Sequence, residues 1–273
     1  MSMSPGSDRT MKPLTVFGAE VRKYRKMAGL SQDRLAEIIQ FSQSLIGFIE
    51  RGERTPSHNF AQRCDDALQA GGELVHLWAQ VTRAASPRWF RGWLDIEQEA
   101  HTLHTWQPLV VPGLLQTEEY ARVVIRGEPG ISDEQVERAV SARMERQKIL
   151  ARNAPPMLRV VLDEGVLHRP IGGKEIMRRQ LKHLIETLES PRVGIQIVPL
   201  VLGATTGTSG GFTIAQLPGG GDTVYIESAN CGQVTSRSED VEAICTRYDT
   251  IRADAHPQHV SVELIREAEK SWT

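Results

Sequence analysis

A chain of 273 residues is long enough for a small domain plus a medium-sized one. With 40% hydrophobic and 24% charged residues it matches ordinary globular composition, which excludes a disordered or collagen-like chain, and a net charge of −2 excludes a uniformly basic nucleic-acid coat. Three widely spaced cysteines (Cys64, Cys231, Cys245) exclude a disulfide framework or a zinc knuckle and fit reduced thiols in a cytoplasm, and no apolar run approaches the length of a membrane span.

The Ser/Gly/Pro-rich start reads as a disordered tail over residues 1–11, not a signal peptide. Phe17, Val21, Tyr24 and Ala28 fall on one helical face, which Gly29 terminates. Ser31 caps a second helix with Leu35, Ala36 and Ile39 inward, and Ser42 caps a third with Leu45, Ile46 and Ile49 inward. Gly52 and Pro56 close it. Residues 59–84 read as further helix interrupted at Gly71-Gly72, so residues 12–85 form one helical domain, and Ser86-Pro87 marks the boundary to a second domain over 86–273.

Beyond that boundary Trp89, Phe90 and Trp93 lie on a short helix, followed by a strand at 102–106 and a Pro/Gly-punctuated connection over 108–115. Thr117 caps a helix, and the Ser132/Gln135 capping box opens a longer one running to about Arg152. Strands at 158–162 and 193–198 flank a helix at 177–188. A hairpin pairs 212–217 with 223–226, and helices at 239–253 and 261–269 finish the chain. The expected fold class is an N-terminal all-α domain followed by a larger α+β domain.

The segment GLSQDRLAEIIQFSQSLIGFIERGERTP, residues 29–56, resembles the Cro/C1-type (XRE) helix-turn-helix family. The resemblance is carried by Leu30, Ser31, Gln32, Leu35, Ala36, Ser42, Ile46, Ile49, Glu50, Gly52 and Pro56. It implies binding of double-stranded DNA, with the helix at 42–51 in the major groove. Gln43, Ser44, Gly47 and Phe48 lie on its outer side as candidate base readers, because Gln pairs bidentately with adenine and an apolar ring meets a thymine methyl. Gln32 and Ser42, by resemblance, and Arg51 and Arg54, by position, are the candidate phosphate contacts. From Lys12 to Pro56 eight basic residues face five acidic ones, a local excess of three positive charges in a chain of net −2. This modest excess argues for a homodimer on a pseudo-palindromic site. Arg25 and Glu50 sit on the inward faces of the first and third helices, where opposite charges must pair, and the family commonly carries such a pair.

The stretches RWFRGWLDIEQEAHTLHTWQPLVVPGLLQTEEYARVVI, ARMERQKIL and VLDEGVLHRPIGG resemble the C-terminal domain of actinobacterial regulators described as WhiJ-like or Scr-family antitoxin-like. That resemblance implies a transcription factor in development or secondary metabolism, frequently encoded beside a small acidic partner protein. The C-terminal domain would then serve dimerisation, partner binding or effector sensing, with an antitoxin-like interaction protein that binds the small partner as the alternative to a free-standing regulator. The resemblance implies no cofactor and no catalytic residue. Glu99, His101 and His104 lack a metal-ligand spacing, and the glycines at 203, 207, 210 and 211 lack the lysine of a phosphate loop. Asp163, Glu164, His168 and Arg169 are explained by a strand passing into a helix start. The sequence therefore contains no recognisable enzyme site. Trp89, Trp93 and Trp106 are read either as core or as walls of a ligand or partner pocket.

Overall fold

The computed structural model describes residues 12–203, 205–229 and 231–272, so the tail expected over 1–11 lies outside the described residues. The chain divides into two units, one ending at Ser86 and one beginning at Pro87.

The first unit is five helices: α1 (Pro13–Met27), α2 (Gln32–Ile39), α3 (Gln43–Glu50), α4 (His58–Leu68) and α5 (Glu73–Ala85). Apolar residues at helical spacing converge on one core, in which Phe17, Val21, Leu35, Ile39, Ile46, Ile49 and Phe60 are fully or almost fully buried. Capping follows the sequence closely. Ser31 accepts from the Arg34 amide at 3.0 Å, Ser42 from Leu45 at 3.3 Å and Ser57 from Phe60 at 3.1 Å. Gly71 and Gly72 both take positive φ and split the expected long helix into α4 and α5. The buried Asp65 carboxylate accepts from the amides of Gly72 and Leu74 at the start of α5.

The second unit is built on a six-stranded mixed sheet of order β3-β2-β1-β4-β5-β6. Its strands are β1 (Thr102–Gln107), β2 (Met157–Asp163), β3 (Val193–Val198), β4 (Phe212–Gln216), β5 (Thr223–Ile226) and β6 (Gln233–Thr235). The first three run parallel, and the last three add antiparallel. Around it pack α6 (Arg88–Glu99), α7 (Glu118–Arg126), α8 (Asp133–Arg146), α9 (Gly165–His168), α10 (Lys174–Thr187), α11 (Ser238–Ala253) and α12 (Gln258–Ser271).

Side-chain alternation divides the core between the two faces. Leu103, Leu158, Val160, Leu162, Ile195 and Ile197 pack on one face with Trp93, Leu181 and Ile265. Trp106, Val161, Val198, Phe212 and Ile214 pack on the other with Tyr248 and Ile251 of α11. The N-terminal all-α part followed by an α+β part is thus the fold expected from sequence. Two details differ. The helix opened by Ser132 leaves α geometry at Arg146 and continues as a 3-10 turn over Gln147–Ala151. The three-residue strand β6 is too short to leave an alternation in the sequence. No helix among the described residues is long and apolar enough to cross a membrane.

Candidate nucleic-acid interface

The geometry of the first unit is fixed where α1 crosses the end of α3. Gly18 is buried there, and a Cβ on it would lie 2.2 Å from the Ile49 carbonyl oxygen, so only glycine lets the two backbones approach this closely. About two turns further along α1, Arg25 meets Glu50. Its Nε donates to Glu50 Oε1 at 2.6 Å and its Nη2 to Oε2 at 2.9 Å, while Nη1 donates to the Leu30 carbonyl at 2.8 Å. Both residues are buried. Gln32 Nε2 adds a hydrogen bond to Glu50 Oε2 at 2.8 Å, and Arg22 Nε a longer one at 3.3 Å. Arg22 is thus a further partner of Glu50. The signal for it was present, because it lies three residues before Arg25 on the same face.

Burial by itself pushes the Glu50 carboxyl up, but the hydrogen bonds from Arg25 and Gln32, the Arg25 charge and the Arg22 contact outweigh it. The net effect holds Glu50 below its ordinary value of 4.5.

A line of hydrogen bonds runs outward from this buried pair. Gln32, whose Nε2 is held by Glu50, presents Oε1 to Gln43 Nε2 at 2.8 Å. Gln43 is exposed at the start of α3, beside the exposed Ser42 and Ser44. Phe48 is 43% exposed, which is unusual for a side chain of that size. The Arg51 guanidinium lies over its ring at 5.0 Å and pairs with Glu53 at 2.9 Å. Arg54 is exposed.

Gly47 departs from the sequence expectation. It is buried, covered by Arg51 Nη1 at 3.2 Å and Gln32 Oε1 at 3.7 Å from where its Cβ would stand. It is therefore a packing position under those two side chains and not an open base-reading position. Another contact left no sequence signal. Arg63 of α4 donates to the Ile39 carbonyl at 2.9 Å and to Gln40 Oε1 at 3.0 Å, closing the end of α2 where Gln40 takes a left-handed conformation.

In the second unit the three tryptophans do not share a pocket. Trp93 is core on one face of the sheet, and its Nε1 donates to Glu97 at 3.3 Å. Trp106 is buried on the opposite face, donating to the Gly207 carbonyl at 2.8 Å. Leu103 and Trp106 are an odd number of residues apart on β1, so they must face opposite ways. Trp89 is 40% exposed and stacks on Tyr225 with centroids 6.2 Å apart.

Two short helices joined by a tight turn, the second presenting polar and aromatic side chains outward on a braced frame, define a helix-turn-helix protein. Comparison with known proteins agrees. A model of the helix-turn-helix domain matches residues 16–78, and a model described as Domain of unknown function (DUF5753) matches residues 90–267. A relative in Bacillus subtilis (strain 168), the uncharacterized HTH-type transcriptional regulator YazB, is 34% identical over 58 residues, covering 21% of this chain and 84% of the relative. No solved structure matches. The chain belongs to the DUF5753 family and is, in class, a helix-turn-helix DNA-binding regulator. The match over the second unit is to a domain of unknown function, which carries no antitoxin or developmental role with it.

Proposed function

We propose that the chain is a cytoplasmic, sequence-specific transcriptional regulator that binds a pseudo-palindromic operator as a homodimer and reads each half-site with α3. The observation that carries this reading is the line from Gln43 through Gln32 to the buried Glu50–Arg25 pair. A base-reading side chain discriminates best when its rotamer is fixed before DNA arrives. Gln43 is so fixed, and its amide oxygen has no protein donor among the described residues. It can meet an adenine N6 amino group while the second hydrogen of the amide nitrogen, the one not held by Gln32, reaches N7.

Ser44 and Phe48 contact the neighbouring bases, Phe48 through a thymine methyl. Gln32, Ser42, Arg51 and Arg54 hold phosphate on either side. Gln32 links the two sets, since it touches Gln43 and sits near the amino end of α2.

Selection of bound duplexes from a random pool tests the reading. The full chain should enrich one pseudo-palindrome, and Gln43→Ala should relax preference at one base pair per half-site, costing about 1–3 kcal/mol on the parent site. An unchanged site preference in Gln43→Ala would refute the assignment.

A further inference from the structure

Arg143 and Arg146 project from one face of α8, three residues apart. Their surroundings differ in one respect. Arg146 directs its Nε and Nη2 edge at Glu97, with hydrogen bonds of 2.5 and 2.7 Å to the two carboxylate oxygens, and its guanidinium lies over Phe90 at 4.8 Å. Arg143 uses only Nη1, which donates to the amide oxygen of the buried Gln116 at 2.7 Å. Among the described residues its Nε and Nη2 edge has no partner and its charge has no carboxylate in ion-pair contact. Residue 113, beside that edge, is glycine and puts no side chain over it. A Cβ there would stand 3.6 Å from Arg143 Nε and 3.3 Å from Arg146 Nη1.

Arg143 is half-buried, and burial, followed by the charge of the adjacent Arg146, pushes its guanidinium down to about 10, still charged at neutral pH. No carboxylate among the described residues reaches it at hydrogen-bond distance, so its charge is only partly compensated. Its open edge suits a further anionic partner. Tyr225, whose hydroxyl has no partner among the described residues, and the exposed Glu227 are close enough to interact electrostatically with both arginines. Gln107 Nε2 holds Glu227 at 3.1 Å.

We infer that the free edge of Arg143 anchors the carboxylate of a small organic ligand in the second unit. Arg146 shows what this edge takes, since its own is filled by the Glu97 carboxylate in the two-pronged geometry suited to a guanidinium. Glu227, exposed and close enough to act on both arginines, would place a negative charge near such a ligand. It favours a molecule that carries a hydrogen-bond donor or an ammonium beside its carboxylate, of which an α-amino acid is the simplest.

Titration calorimetry on the full chain tests this, with the twenty L-amino acids, a series of aliphatic and aromatic monocarboxylates, and inorganic phosphate as probes. Saturable binding of at least one amino acid or monocarboxylate is expected, weakened about tenfold or more in Arg143→Met. Gly113→Ala keeps the arginine but narrows the space beside its edge, so it should also weaken binding while the fold persists. It carries the test should Arg143→Met fail to fold. Three results would overturn the inference: no saturable binding by any carboxylate, binding of phosphate alone, or carboxylate affinity untouched by both substitutions.

Discussion

At the scale of single residues, Glu50 has the most exacting surroundings in the first unit. Its carboxylate is buried and accepts from Arg25, Gln32 and Arg22, so the group is stable there only while charged. Glu50→Gln leaves Arg25 buried without a counterion and should cost about 3–5 kcal/mol, whereas Arg25→Met with Glu50→Met together should cost less, because no lone charge remains. Thermal melts of the three proteins without DNA would show this order, and a Glu50→Gln protein that melts normally would contradict it.

The pH dependence follows from the same site. The folded-state value lies below the ordinary 4.5, so the stabilisation is present above that value and is lost as pH falls through the depressed one. The helical unit should therefore weaken below about pH 4.5, with a shallower decline in Glu50→Gln. Glu53 gives a contrasting case. It pairs with Arg51 on the exposed side of the unit and occupies a cation proposed for phosphate. Glu53→Gln should tighten binding to all duplexes alike and steepen the salt dependence, as measured by fluorescence anisotropy across a salt series.

At the scale of elements, the position of α3 depends on how closely its end approaches α1. Gly18→Ala would drive a methyl to 2.2 Å from the Ile49 carbonyl, and backbone cannot yield as a flexible side chain would. The helices must separate, so the variant should lose about 1–3 kcal/mol of stability and bind operator more weakly even after correction for the unfolded fraction. A parent-like Gly18→Ala would mean that the crossing tolerates a looser fit.

Element by element, the first unit was almost fully legible in the sequence. Three of its five helices begin at serine caps, positive-φ glycines follow α1 and part α4 from α5, and residues are buried at helical spacing, and all three signals are local. Legibility failed where position depended on tertiary approach. Gly47 lies on the outer side of α3 by spacing alone, yet side chains from α2 and from the end of α3 cover it. The tryptophans near the start of the second unit cluster in sequence, but the pleat of β1 sends Trp106 to the face opposite Trp93. The Arg143 edge was not legible at all. It depends on Gly113 and Gln116 from the connection before α7 and on Glu227 from the one after β5, which carry no shared motif.

At the scale of the whole molecule, the charge balance bears on how many copies engage DNA. The reading head carries three excess positive charges between Lys12 and Pro56, and several of its cations are already engaged. Arg25 and Arg22 serve Glu50, Arg34 pairs with Glu37, Lys23 with Glu20 and Arg51 with Glu53. A head with so few uncommitted cations releases few counterions, and each released phosphate contact contributes a slope of about −0.9 to the salt dependence of affinity. One head therefore holds DNA weakly at physiological salt, whereas two heads on one duplex double the number of contacts. Two copies related by a two-fold axis would set their α3 helices about 34 Å apart, one turn of duplex, and would require a pseudo-palindromic site. Light scattering of the full chain mixed with a selected operator should give two chains per duplex. Halving the duplex to a single half-site should reduce the salt slope by about half and weaken binding by several orders of magnitude. A stable complex of one chain on one half-site, with the slope and affinity of the full operator, would show that a single head suffices and that the homodimer is not the DNA-binding form.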